Sequence, residues 1–317
     1  MRPRLPDTLV DFANGASAPF AILTIANTIQ KKIRRRLQFA AMHWQTTRFE
    51  IDLNRVRVMG IVNLTPDSFS DGGRLASTAA ALAHCEQLVA DGADVLDLGG
   101  ESSRPGAEPV SVQEELDRVL PVLAGALTLG CPISIDTVKP EVMRAALDMG
   151  ADIINDIGAL QAPAAAKAVI EHPGCGICLM HMRGEPRSMQ QQPSYADVVE
   201  EVSQFLSRRM QALQDFGVAA RRIVLDPGIG FGKSVEHNLE LLRRQPELLA
   251  LGRPLLIGWS RKSTLGTITG RPVDERLAAS VAAALAAVGQ GARIIRVHDV
   301  AATADALKVW RSAGFCQ

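Results

Sequence analysis

The chain has 317 residues, 47% hydrophobic and only 4% aromatic, with 34 basic and 34 acidic side chains and hence no net charge. That length is too great for one average domain but suits a single α/β barrel, which commonly runs to about 250 residues or more. Zero net charge removes any global argument for nucleic acid, and no apolar run reaches the roughly 18 residues that span a membrane.

Residues 1–41 stand apart. Arg2, Arg4, Lys31, Lys32, Arg34, Arg35 and Arg36 face only Asp7 and Asp11, and the apolar piece PFAILTIANTI precedes the basic cluster. A secretory signal has the opposite order, whereas an Arg-rich, acid-poor transit peptide stays open. The preferred expectation is an upstream extension, disordered or read from a start placed too early. Met42 is then the expected start, with one barrel domain over 42–317.

From Val56 onward a rhythm repeats. In chain order the strand candidates are VRVMGIVN, ADVLDLGG, PISIDT, ADIINDI, GICLMH, RIVLDPG, PLLIGWS and ARIIRVHD. Amphipathic stretches such as TAAALAHCEQLVADG, VQEELDRVLPVLAGAL, PEVMRAALDMG and DERLAASVAAALAAVGQG separate them. Several close on Asp-Gly, Met-Gly or Phe-Gly, as a helix capped by glycine does, and several open on Pro or an acid. Strands alternating with helices make βαβ units and a parallel sheet, and eight units make a closed (β/α)8 TIM barrel. The rival, an open doubly wound sheet, usually carries a Gly-rich turn after its first strand, and MGIVNLTPDSF has none.

Chemistry in such a barrel sits at the C-terminal ends of the strands. Those ends read Asn63; Asp97 with Glu101, Ser102, Ser103 and Arg104; Asp136; Asn155 and Asp156; Met180 and His181; Asp226; Ser260, Arg261 and Lys262; Arg296 and His298. One or two such residues are explained as helix N-caps, but eight in a ring point to a ligand site. Asp136, Asn155 and Asp226 with Lys262 suit a heterocycle rich in N–H donors, because buried carboxylates left unpaired cost several kcal/mol. Arg296 and His298 with Asn63 suit an anion such as a phosphate, with or without a metal.

Two other motifs carry less. DPGIGFGKS resembles a phosphate loop, but the glycine needed five residues before Gly232 is Pro227. Lys233 is therefore expected to cap or steer, with the N–H groups of Gly228 to Gly232 lining the site mouth. Cys175 and Cys178 have redox spacing, yet Cys178 falls within an apolar strand and no second Cys/His pair completes a zinc site. Five irregularly placed cysteines fit free thiols in a reducing cytoplasm.

The stretches GIVNLTPDSFSDGG, DLGGESSRPGA, SIDTVKPEV, IINDI, CLMHMRG, LDPGIGFGK, IGWSRKS and RIIRVHDV tile residues 56–310 in order. Together they resemble the dihydropteroate synthase family, the folate-pathway enzymes blocked by sulfonamides. The resemblance implies a homodimeric barrel that joins p-aminobenzoate to 6-hydroxymethyl-7,8-dihydropterin diphosphate, with Mg2+, and releases pyrophosphate by an SN1-like path. It implies that Asp136, Asn155, Met180, Asp226 and Lys262 hold the pterin. Asn63, Ser103, Arg296 and His298 would hold the diphosphate, with Mg2+ on Asn63. Phe69, Asp71, Arg104, Pro105, Phe231, Ser260 and Lys262 would form the p-aminobenzoate pocket, with Phe69 on a mobile lid. Asn63, Phe69, Asp71, Asp136, Asp226 and Lys262 would carry catalysis. Ser103 replaces the Thr common in the family but keeps the hydroxyl. Ile229 and Trp259 differ from some relatives, and the bulk of Trp259 is expected to reshape the pocket beside Ser260. The alternatives on the same barrel are a pterin-dependent methyltransferase and a non-catalytic pterin-binding paralogue. The RVHD and SRK segments argue against the first, and the presence of Phe69, Asp71 and Arg296 argues against the second.

The N-terminal peptide of the native protein is expected to begin at Met42; a peptide beginning at Met1 would end the idea of a misplaced start.

Overall fold

Strands buried on both faces need apolar side chains both inward and outward, and the eight β-branched runs supply them. The computed structural model describes residues 42–65, 73–102, 106–184, 189–190 and 193–315. The expected extension over 1–41 lies outside these residues. So do Phe69, Asp71, Ser103, Arg104 and Pro105.

Two short strands, β1 (His43–Gln45) and β2 (Glu50–Asp52), form an antiparallel hairpin. Then come β3 (Arg57–Asn63), β4 (Val95–Gly99), β5 (Ile133–Asp136), β6 (Ile153–Asp156), β7 (Gly176–Met180), β8 (Ile223–Asp226), β9 (Leu256–Ile257) and β10 (Ile294–Val297). These eight pair in parallel in the order β8-β7-β6-β5-β4-β3-β10-β9. A parallel bridge from Leu225 to Leu255, with Leu225 N–H donating to the Pro254 carbonyl at 3.0 Å, links the two ends of the sheet. The result is the expected barrel, each strand lying inside its predicted run. Helices follow the strands, among them α1 (Gly73–Ala90), α2 (Val112–Ala126), α3 (Pro140–Met149), α4 (Pro163–Glu171) and α5 (Val198–Asp215). After β8 come α6 (Val235–Arg243), α7 (Gln245–Leu248), α8 (Ser263–Thr269), α9 (Leu277–Gly289) and α10 (Val300–Ser312). The glycine stops work as read: Gly92, Gly150 and Gly217 all take the left-handed φ that closes a helix.

Two cores result. The larger lies between strands and helices and includes Val58, Leu96, Ile154, Leu225 and Ile257. It also holds the buried face of α9, Ala283, Ala284, Ala287 and Val288, so that helix packs on the barrel. The smaller fills the barrel interior with Met59, Val95, Ile153, Cys178, Val224, Leu256 and Ile294, closed from below by Trp44, Ile51 and Leu53. The hairpin was not among the predicted elements, because three-residue strands carry too little alternation to read. It seals the barrel floor all the same: Trp44 is fully buried and its indole N–H donates to the Arg222 carbonyl at 2.8 Å. Arg48 clips the hairpin on from outside, pairing with the buried Asp152 at 2.6 Å.

Trp44→Ala should therefore lower stability by about 3–5 kcal/mol, the usual cost of deleting a buried aromatic. Urea unfolding monitored by circular dichroism measures it; a loss under about 1 kcal/mol would show that the hairpin does not close the core.

Candidate active site

Along a strand every second side chain enters the barrel. The apolar floor residues Val95, Ile153, Val224 and Ile294 are each followed two positions later by a polar one: Asp97, Asn155, Asp226 and Arg296. Asp136 ends β5 in the same way, two residues above the buried Ser134. The polar ring expected from the strand ends is thus the second inward layer, resting directly on a dry floor.

Its centre is an ion cluster. The Arg296 guanidinium donates from Nε to Asp97 at 2.6 Å and from Nη2 to Asp136 at 2.8 Å. The Asn155 amide donates to the same Asp97 oxygen at 3.1 Å. Asp97 is fully buried, and its other oxygen has no hydrogen-bond partner among the described residues. Burial pushes the Asp136 carboxyl up to about 7; Arg296 opposes this, and Asp97, Asp156 and Glu115 add to it. Burial also raises Asp226 to about 6, against the Gly228 N–H, Lys262, Lys233 and Arg296. For Arg296, burial pulls downward, but Asp97 and Asp136 outweigh it and the pKa ends above its ordinary value. A buried ion pair of this kind adds little net stability over an apolar replacement, whereas losing one partner strands a charge at a cost of about 3–5 kcal/mol. Its place in the fold therefore points to ligand recognition. The heterocycle and anion poles read from the sequence meet, since Arg296 of the second pairs with Asp136 of the first.

The loop after β8 explains its own glycines. Gly228, Gly230 and Gly232 have φ of 70°, 81° and 63°. A Cβ at Gly228 would lie 1.9 Å from the His181 carbonyl oxygen, and one at Gly232 would lie 2.3 Å from that of Arg183. The loop is pressed onto the end of β7. Its N–H groups are largely taken: Gly228 donates to Asp226 at 2.7 Å, Gly230 to Asn238 at 2.8 Å and Phe231 to the Gly228 carbonyl at 3.1 Å. They do not line the site mouth as expected. Lys233 neither caps nor steers. It is buried, and its ammonium lies 2.9 Å from His181 Nδ1 and 3.0 Å from the carbonyls of Gly228 and Phe231.

After β9 the chain kinks. Arg261 takes φ 57°, its N–H donates to Ser280 Oγ at 2.9 Å, and its guanidinium pairs with Asp299. On either side of this residue, Ser260 Oγ lies 3.0 Å from His298 Nδ1, and the Lys262 ammonium lies 4.1 Å from the centre of the Phe231 ring. Trp259 does not reshape that pocket. Two residues on from the outward-facing Ile257, it is buried in the shell between strands and helices. Asn63 and Met180 end β3 and β7, the first half-buried and the second buried. Asp97, a member of the ring to which the sequence assigned no role, proves central; its inward parity with Val95 was the available signal. The structure brings together Asp136, Asn155, Asp226 and Arg296, with Ser260–His298 and Phe231–Lys262 as contacting pairs. Cys175 and Cys178 are buried, unbridged thiols whose pKa burial raises, the opposite of the lowered pKa that activates a redox thiol.

Comparisons with known proteins agree with this geometry. The model of the family described as "Pterin binding enzyme" matches residues 59–298. Dihydropteroate synthase of Neisseria meningitidis serogroup B is 55% identical over 277 residues, 86% of this chain and 97% of that one. Dihydropteroate synthase of Xanthomonas albilineans with 4-aminobenzoic acid superposes with a TM-score of 0.81 at 49% identity, covering 87% of this chain and 99% of that one. The Burkholderia cenocepacia enzyme complexed with 7,8-dihydropteroate gives 0.79 at 51% identity, covering 87% and 98%.

Gly228→Ala and Gly252→Ala form a matched test of the loop's docking. Both positions have similar left-handed φ, 70° and 68°, but only Gly228 has no room for a Cβ. Gly252→Ala should cost about 1 kcal/mol in urea unfolding, and Gly228→Ala several times more; equal costs would mean that the loop is not held against His181.

Proposed function

We propose a reaction on the premise that this chain belongs to the pterin-binding enzyme family, and within it to the dihydropteroate synthases. It is a transferase that condenses 6-hydroxymethyl-7,8-dihydropterin diphosphate with 4-aminobenzoate to give 7,8-dihydropteroate and pyrophosphate in folate biosynthesis. The observation that carries this reading is the hydrogen-bonded cluster of Asp97, Asp136, Asn155 and Arg296 on the dry barrel floor, with the buried Asp226 at the end of a further strand. Carboxylates held there with raised pKa gain most from a ring edge that offers several N–H donors.

In this reading Asp136, Asn155, Met180, Asp226 and Lys262 bind the pterin, and Arg296, His298 and Ser103 bind the diphosphate. The diphosphate competes with Asp97 and Asp136 for the Arg296 guanidinium. As the methylene C–O bond breaks, Arg296 and His298 stabilise charge on the leaving oxygen. Positive charge spreads into the electron-rich dihydropterin, where Asp136 and Asp226 face it. The arylamine nitrogen then forms the C–N bond through its neutral lone pair and loses its proton afterwards. Residues that orient the amine therefore matter more than a strong base. Phe69, Asp71, Arg104, Pro105, Phe231, Ser260 and Lys262 are assigned that orientation. Asn63 offers a hard amide oxygen at the end of β3, which suits Mg2+, a cation that takes few protein ligands beside phosphate and water. When bound, Mg2+ supplies further neutralisation of diphosphate charge.

The protein is proposed to act as a homodimer in a reducing cytoplasm. Supporting the dimer is a surface recess lined by Leu242, Leu285, Ala286 and Trp310 on α6, α9 and α10. Supporting the compartment are the unbridged thiols of Cys85, Cys131, Cys175 and Cys178. No helix among the described residues is long and apolar enough to cross a membrane.

A steady-state assay with both substrates and Mg2+, following pyrophosphate and dihydropteroate together, tests the reaction. Product should form from both substrates and be lost with EDTA, and the active species should sediment as a dimer. Asp136→Ala and Asp226→Ala should each weaken pterin binding by about tenfold or more. Normal pterin affinity in both variants would sink the site assignment, and sedimentation as a monomer would sink the dimer.

A further inference from the structure

We propose that Lys233 is a positioning residue for the arylamine half of the reaction: its buried ammonium clasps the β8 loop against β7 and so fixes Phe231 beside Lys262. The proposal rests on the assignment of Phe231 and Lys262 to the p-aminobenzoate pocket.

The geometry is that of a cation held by lone pairs alone. Within hydrogen-bonding distance of Lys233 Nζ lie His181 Nδ1 at 2.9 Å, the Gly228 carbonyl at 3.0 Å, the Phe231 carbonyl at 3.0 Å and the His181 carbonyl at 3.3 Å. An ammonium brings three N–H donors and no acceptor. Three of the four are carbonyl oxygens, which only accept and so suit the N–H donors of an ammonium; burial pulls the Lys233 pKa down to about 7, against the charge of Asp226. With Lys233 charged, His181 presents a bare Nδ1, and burial together with the nearby Lys233 pushes the His181 pKa down to about 3, which keeps the ring neutral. The ring is held edge-on by Phe205, with centroids 5.0 Å apart, so Nδ1 cannot easily turn away.

The four acceptors belong to two segments. His181 ends the β7 run, whereas Gly228 and Phe231 belong to the β8 loop. Lys233 therefore cross-links the loop to the neighbouring strand end, at the contact where Gly228 and Gly232 leave no room for a Cβ. Asp226 lies within β8 itself and is held by the sheet through the Met180 pairing. Phe231 lies five residues on and has no strand to hold it. Its backbone is fixed by the Gly228 carbonyl and by Lys233. Loss of the clasp should thus release Phe231 and leave the Asp226 backbone in place; because the Lys233 charge also opposes the rise of the Asp226 pKa, His181→Phe, which keeps that charge, gives the cleaner split.

The test is a split between the two substrates. Lys233→Met, which keeps the stem and removes the charge, should raise the KM for 4-aminobenzoate about tenfold or more, the usual loss for a hydrogen bond to a charged group. The Kd for the pterin diphosphate, measured by calorimetry, should stay within about threefold of the parent, well under that loss. His181→Phe keeps a ring but no acceptor and should give the same split. His181→Asn, whose amide oxygen can accept from Lys233, should restore most of the arylamine KM. Amide exchange at Gly228–Gly232 should quicken in Lys233→Met and in His181→Phe. If Lys233→Met does not fold, His181→Phe decides. Unchanged arylamine KM together with unchanged loop exchange would overturn the proposal, as would an equal rise in both constants. A Phe231→Ala control separates the two readings. If that variant keeps its arylamine KM, the pocket assignment has failed and loop exchange alone judges the clasp.

Discussion

In a closed parallel barrel, side chains alternate strictly between the interior and the helix-covered outside, and the rest of this structure depends on that alternation. On several strands the first inward residue is apolar, and together these residues form a floor that the Trp44 hairpin seals from below. The next inward residues carry Asp97, Asp136, Asn155, Asp226 and Arg296. Because the floor is dry, charge placed on it is expensive, and Asp136 and Asp226 are both held well above the ordinary carboxylate range. The sign of the linkage follows. Above about pH 7, Asp136 is ionised both folded and unfolded, so its burial cost is fully present. That cost is relieved as pH falls through the folded value toward the ordinary one. A ligand that offers N–H donors relieves it without a change of pH, so the stability given up in the free protein becomes binding energy.

The loops above the ring follow a different logic. A barrel strand can aim a side chain only inward or outward, so residues that must converge from the side need a bent backbone. The chain meets this need twice. After β8, three glycines with left-handed φ let the loop press onto β7, and a buried ammonium ties the carbonyls together. After β9, Arg261 takes a left-handed φ between Ser260, which meets His298, and Lys262, which meets Phe231. The Asp299 carboxylate and the Ser280 hydroxyl hold Arg261 there. The first bend is free of strain because glycine takes left-handed φ readily; the second, at a non-glycine residue, is local strain held in place by surrounding contacts at a functional site.

Much of this was legible in the residues. Eight β-branched runs ending in polar side chains are a local pattern, and local patterns survive folding: the barrel, its strand order, the glycine helix stops and the ring of Asp136, Asn155, Asp226 and Arg296 all read directly. What could not be read depends on distance in space. A three-residue strand such as His43–Gln45 has no periodicity to detect, and Trp44 gains its role only by meeting Arg222, 178 residues later. Lys233 reads as a capping or steering residue until His181 turns out to face it. Trp259 looks like a pocket residue until the parity of β9 sends it outward. Arg296 reads as an anion binder, and only the folded barrel sets it between Asp97 and Asp136. The sequence by itself determined which residues alternate and where each strand turns polar, because those properties are carried along the backbone. Only the tertiary structure decided which charges meet and which loops are clasped, because those depend on the closure that brings eight separate strand ends to one rim.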